Sequence, residues 1–166
     1  MGGSENLTLS VIKNITDYEH EILVIQGNTH FQKFCKEKHN IDFLNLNIKT
    51  NSFLSISKWL SIYRAVKKIN PDIIHAYMFD SSMYARIIGF LLNKPIIIYI
   101  VNTYNKKKVR RGVINFLLSF FTKKIIVCSD DVKKDVLKYD KIKSNKLITV
   151  NSFATLDFHK DYSIDL

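Results

Sequence analysis

The segment that most constrains the fold is PIIIYIV at residues 95–101, an unbroken apolar run behind a proline. A strand this apolar has no polar side to offer to water, so it must be covered on both faces. Strands of that kind belong to parallel sheets held between layers of helix. The rest of the chain therefore has to supply covering helices, each returning the backbone to the same end of the sheet.

It supplies them in alternation. Leu7, Leu9, Val11, Ile12 and Ile15 fit one face of a helix running toward Thr16. HEILVIQG (20–27) predicts a buried strand, HFQKFCKEKH (30–39) a helix and IDFLNLNI (41–48) a second strand. From Ser52 to Ile69 the period becomes helical. Phe53, Ile56, Leu60 and Tyr63 form one stripe, Trp59, Ile62, Val66 and Ile69 its flank, and Ser57, Lys58, Arg64 and Lys67 face outward. Asn70-Pro71 ends that helix. DIIHAYM (72–78) is the next strand, and Asp80-Ser81-Ser82 offers capping oxygens to a helix through Leu92. After PIIIYIV come a helix in VINFLLSFF (113–121) and a strand in KKIIVCS (123–129). A helix capped by Ser129 follows, with Asp130 and Asp131 favourable at its positive end, then a last strand in KLITV (146–150). The expectation is an α/β fold, a doubly wound Rossmann-like parallel sheet, with ligands at the carboxyl ends of the strands.

At 166 residues there is room for one domain with a real core, and the apolar content of 46% is that of a globular chain. The formal charge of +10 is densest at Lys106, Lys107, Lys108, Arg110 and Arg111, which suits either a solvated lysine-rich surface or an anionic partner: nucleic acid, an acidic membrane surface or phosphorylated substrates. Phe31, Phe34, Trp59, Phe116, Phe120 and Phe121, however, sit at helical core spacing, which argues against an exposed stacking platform and hence against a nucleic-acid role. Cys35 and Cys128 are far apart with no CxxC, so both read as buried thiols of a reducing compartment. No signal-peptide pattern opens the chain, and IIGFLLNKPIIIYIV is broken by Asn93-Lys94-Pro95 before it reaches spanning length. The expected location is cytoplasmic.

Four polar places fall at strand ends. Gly2-Gly3-Ser4-Glu5 is a turn before a helix that suits either a plain turn or close approach of backbone N–H groups to a phosphate. His75 stands late in its strand, where it is either a satisfied core residue or a hydrogen-bonding partner for a ligand hydroxyl. Asn102-Thr103-Tyr104-Asn105 turns the most apolar strand abruptly polar, and Cys128-Ser129 ends the next one, Ser129 doubling as an N-cap. No catalytic triad, phosphate loop of the P-loop type, metal-ligand cluster or carboxylate pair emerges, so neither a catalytic residue nor a metal or cofactor is assigned.

The order of these pieces resembles the N-terminal domain of family 4 glycosyltransferases of the GT-B class, over nearly the whole chain. GGSE matches that family's GGxE at Gly2, Gly3 and Glu5, and KKINPDIIHAY matches its Lys-x-x-x-Pro-Asp-hydrophobic-hydrophobic-His through Pro71, Asp72 and His75. Ala85-Arg86, Val127-Cys128-Ser129 and NSFATLDF, with Asn151 and Phe158 in place, follow in the family's order. Tyr77 stands where a second histidine is often found, YIVNTY lacks the family's catalytic histidine, and Ser152 and Ala154 replace the usual Gly and Asp.

The resemblance implies one half of a GT-B architecture, with residues 1–150 as the Rossmann-like domain and 151–166 as the start of an interdomain connection. It also implies that a first central strand, lying between HEILVIQG and DIIHAYM, precedes Met1, and that a donor-binding domain follows. The implied activity is transfer of a sugar from a nucleotide-sugar donor to a glycan or lipid-linked acceptor with retention, without a metal, in surface polysaccharide or lipopolysaccharide synthesis at the inner face of a membrane. Gly2, Gly3, Glu5, His75, Tyr77, Asn102, Thr103 and Ser129 are the implied substrate-binding residues. The alternative is a non-catalytic partner subunit or an inactive remnant.

Overall fold

A computed structural model describes residues 3–26, 32–33, 35–37, 43–48, 55–100 and 109–151. Helix α1 spans Gly3–Asn14 and is followed by strands β1, Ile22–Val24, and β2, Phe43–Asn45; between them Gln32, Lys33 and Cys35–Glu37 are helical. Then come α2 (Ile56–Ile69), β3 (Ile74–Tyr77), α3 (Phe79–Leu91), β4 (Ile96–Ile100), α4 (Val109–Ser119) and β5 (Lys124–Val127). The described chain closes with α5 (Asp130–Asp135), which runs into a π turn at Val136–Asp140, and with β6 (Leu147–Thr149).

Every strand pairing is parallel, as the apolar β4 requires. The strands form two sheets, β1-β2 and β3-β4-β5-β6. Among the described residues β1 and β3 are not paired, so the sheet is interrupted where the resemblance places a further central strand. Ile74 N–H donates to Pro95 C=O at 3.0 Å, which turns the backbone groups of His75 and Tyr77 toward the opposite edge of β3, unpaired among the described residues.

Strand register assigns the two faces of the larger sheet. Ala76 lies beside Ile98, Ile98 beside Ile125 and Ile125 beside Leu147, and this face carries the core with Ile96, Val127, Val132 and Val136. Ile98, Ile125 and Val127 are sealed from water, each such burial contributing about 1.5–3 kcal/mol. The other face presents His75, Tyr77, Ile97 and Tyr99. A second cluster joins Ile62 and Val66 of α2 to Tyr84 and Ile88 of α3, and Leu23, Ile25, Leu46, Ile48 and Ile74 pack on it. Helix α2 is thereby the apolar bridge between the two sheets.

Helix α2 departs from its expected facing. Ser55 caps it by accepting from Lys58 N–H at 3.4 Å, and Asn70 ends it in the left-handed region before Pro71, as the sequence implies. Its buried side, however, is Lys58, Ile62, Ala65 and Val66, while Ile56 and Leu60 are exposed. Tyr84 explains the shift. Its ring offers a face to the Lys58 ammonium, 5.0 Å away, and an edge contact to Trp59 at 4.6 Å between centroids, so the lysine stem covers apolar surface.

Helix α4 departs further. It turns Gly112, Asn115 and Ser119 inward and leaves Val113, Phe116, Leu117 and Phe120 outside, so the expected core placement of Phe116 and Phe120 does not hold. The cause is what lies beneath it. Arg86, wholly buried on α3, donates from Nη1 to Asn115 Oδ1 at 2.9 Å, and Asn115 Nδ2 donates to Asp140 Oδ2 at 3.0 Å. A buried guanidinium and carboxylate demand polar partners, and Asn115 is the amide that links them. Gly112 lets the helix backbone approach Tyr139, whose carbonyl oxygen would lie 2.8 Å from a Cβ at that position.

Candidate functional site

The carboxyl end of β3 carries the densest polar grouping on the sheet's second face. His75 and Tyr77 share that face because they are two apart in a strand, and register sets Tyr99 of β4 directly beside Tyr77. The His75 and Tyr77 rings lie 4.6 Å apart between centroids, those of Tyr77 and Tyr99 6.0 Å apart, and Tyr77 Oη is 3.4 Å from His75 Nδ1. Three aromatic rings with three polar tips thus line one strip of the sheet.

Burial governs the electrostatics of the strip. It disfavours the imidazolium, so the His75 pKa falls below its ordinary value and the neutral ring is favoured. Burial, with Tyr99 adding to it, pushes the Tyr77 phenol up to about 12. His75 Nε2 and Tyr99 Oη are buried and find no hydrogen-bond partner among the described residues. Whichever ring nitrogen carries the proton, His75 therefore keeps one hydrogen-bonding atom unused, in an uncharged setting suited to hydroxyls.

Met78, next in the chain, has φ 68° and ψ 155°, a conformation at home only in glycine. Met78 is the single residue between β3 and α3. Helix α3 opens directly at Phe79, and Asp80-Ser81-Ser82 does not cap it from outside: Asp80 is in the first turn, and Ser82 Oγ donates back to Met78 C=O at 2.6 Å. Among the described residues no side-chain hydrogen bond caps the start of α3 at Met78.

The other expected site residues are scattered around this centre or fall elsewhere. Ser129 is half-buried after β5, and its hydroxyl accepts from Val132 N–H at 3.3 Å, so that oxygen works as the cap of α5. Thr149 Oγ1 donates to Asp130 Oδ1 at 3.0 Å on the same rim. Gly3 and Glu5 lie in the first turn of α1. Gly2, Asn102, Thr103 and Lys106–Lys108 lie outside the described residues, while Arg110 and Arg111 are exposed on α4. Sequence reasoning missed Tyr99, whose place beside Tyr77 depends on strand register, and Met78, which carries no glycine signal. Among the described residues no group of His, Cys, Asp or Glu is arranged to hold a metal, and no helix is long and apolar enough to cross a membrane.

This half-open sheet with helices and polar strand ends is the fold of one lobe of a GT-B glycosyltransferase. The family model for Glycosyltransferase Family 4 matches residues 1–157, and the chain belongs to that family. Anabaena Alr3699/HepE, solved in complex with UDP and glucose, is similar over 92% of this chain and 41% of its own, at 14% identity and a TM-score of 0.75. A glycosyltransferase from Rickettsia africae matches over 90% of this chain and 39% of its own, with 21% identity and a TM-score of 0.69. Acinetobacter baumannii MurG matches over 96% and 45%, with 16% identity and a TM-score of 0.62. The chain thus spans about two fifths of the length of the solved structures it matches. No curated protein sequence matches it.

Proposed function

We propose that this chain is the acceptor-binding half of a retaining glycosyltransferase that moves a sugar from a nucleotide-sugar donor to a glycan or lipid-linked acceptor. On this reading residues 1–150 form the acceptor-side domain, 151–166 begin the connection to a donor-binding domain, and the enzyme works in the cytoplasm on surface polysaccharide or lipopolysaccharide. Family membership supports the class, and so does the likeness to HepE, a protein solved in complex with UDP and glucose.

The observation that carries the acceptor role is the strip of His75, Tyr77 and Tyr99 at the strand ends. Sugar rings present apolar faces ringed by hydroxyls, and a neutral imidazole beside two phenols can stack on the one and hydrogen-bond the other. Gly3 at the start of α1 and Ser129 at the end of β5 would flank such an acceptor, with Gly2, Glu5, Asn102 and Thr103 as further contacts.

The role of Tyr77 and His75 is to hold and orient the acceptor; proton transfer and donor activation are left to the remainder of the enzyme. In steady-state kinetics of the natural full-length protein, Tyr77→Ala should raise the acceptor KM roughly tenfold and leave the donor KM unchanged, the pattern of a lost binding contact on one substrate. A change confined to the donor KM would overturn the assignment. Acceptor binding without any transfer would favour the non-catalytic partner instead.

A further inference from the structure

We infer that the outward face of α4 pairs with the same face of a second copy of this chain, forming an antiparallel two-fold dimer. A helix on a water-soluble protein normally buries its apolar stripe, yet α4 buries Gly112, Asn115 and Ser119 and exposes the opposite set. Val113 is 53% exposed, Phe116 40%, Leu117 56% and Phe120 67%. The Phe116 and Phe120 rings meet edge to face, 5.7 Å apart between centroids, which holds the outermost ring in place. The end of α3 extends the patch. Phe90 and Leu91 are exposed, and the Phe90 ring packs 4.4 Å from that of Phe121 just beyond α4. These six exposed side chains leave on the order of 600 Å² of apolar surface in water, at the upper limit of the largest patch on a typical monomer. Two copies would cover about 1,200 Å² between them, enough for a specific interface.

Register selects the occupant. Arg110, Val113, Leu117 and Phe120 are spaced three, four and three apart, the seam spacing of paired helices. That spacing is symmetric about the level of Asn115, so the face complements itself. A two-fold axis there sets Val113 against Leu117 of the second copy, and the exposed Arg110 against its Phe120. From Ser81 to Ser129 the sequence has no Asp or Glu, so the patch offers Arg110 aromatic faces and no carboxylate. Arg111 already takes such a partner within one chain, lying over the Phe79 ring at 4.7 Å. Parallel pairing would bring the two Arg110 side chains together, and their like charges oppose it. Antiparallel pairing also sets the positive start of each helix beside the negative end of the other. The inference does not rest on the transferase reading.

The test is sedimentation velocity on the full 166-residue chain over a range of concentrations. The chain should run as a dimer that dissociates on dilution, and Phe120→Ser should weaken that dimer about tenfold. Phe120→Lys sets a like charge against Arg110 of the second copy and should leave a monomer. Adding Arg110→Glu to it should restore the dimer through a pair of opposite charges. Phe120 and Arg110 are exposed in the single chain, so every variant should keep the circular dichroism spectrum of the unaltered protein. A chain that stays monomeric overturns the proposal, and a monomer that sediments with phosphatidylglycerol vesicles would assign the face to a bilayer instead. A dimer indifferent to Phe120→Lys, or one that the second substitution fails to restore, also overturns it. No variant touches His75 or Tyr77, so failure here leaves the acceptor assignment standing.

Discussion

Two influences act on the chemistry of His75: Tyr77, with its hydroxyl at Nδ1 and its ring 4.6 Å away between centroids, and the surroundings that shut Nε2 away from water. Because its folded pKa lies below the ordinary 6.5, the unfolded chain binds a proton at pH values where the folded chain does not. Stability is therefore unaffected by this group well above pH 6.5 and falls as pH drops below it, until the folded ring also titrates. Urea unfolding at a series of pH values should show that decline, and His75→Gln, which cannot titrate, should flatten it. An unchanged slope in the variant would mean that other groups control the acid limb. At this scale His75 was legible in DIIHAYM as a polar residue late in a strand. Its partner Tyr99 was not, because pairing across strands is set by register and leaves no local mark.

The helices show where periodicity stops being informative. It placed α2 and its ends correctly, through Ser55 and Asn70-Pro71, but assigned the wrong side to Ile56, Leu60 and Lys58. Hydrophobicity alone cannot foresee that a lysine will lie on a tyrosine. In α4 the phenylalanines read as core, while the residues that dock the helix are a glycine, an asparagine and a serine. Their burial follows from Arg86 and Asp140, distant in sequence, meeting through Asn115. Gly112 gives the test at this scale. Alanine is favoured over glycine in a helix by about 0.5–1 kcal/mol, but a Cβ here would press on backbone at Tyr139, and overpacking costs about 1–3 kcal/mol. Gly112→Ala should therefore lower stability in urea unfolding; a gain would show that α4 sits less tightly on the π turn.

Across the whole molecule, two parallel sheets share one apolar cluster built on α2 and α3, with the aromatic strip beside the interruption between them. The parallel sheet and its crossovers were legible from PIIIYIV and the alternation around it, because both dictate burial on two faces. The resemblance implied a strand slot beside DIIHAYM, and among the described residues that edge of β3 is unpaired; that Tyr99 joins His75 and Tyr77 in one strip emerged only in the folded chain. The strip is the surface to which we assign the proposed acceptor. The proposed acceptor role turns on whether the strip holds saccharide. Saturation-transfer NMR of the chain with a panel of soluble oligosaccharides puts that question to the strip itself. Transfer to a bound sugar should appear, vanish in Tyr77→Ala and persist in Phe120→Ser. Saccharide signals that survive Tyr77→Ala would place the sugar elsewhere and end the acceptor assignment.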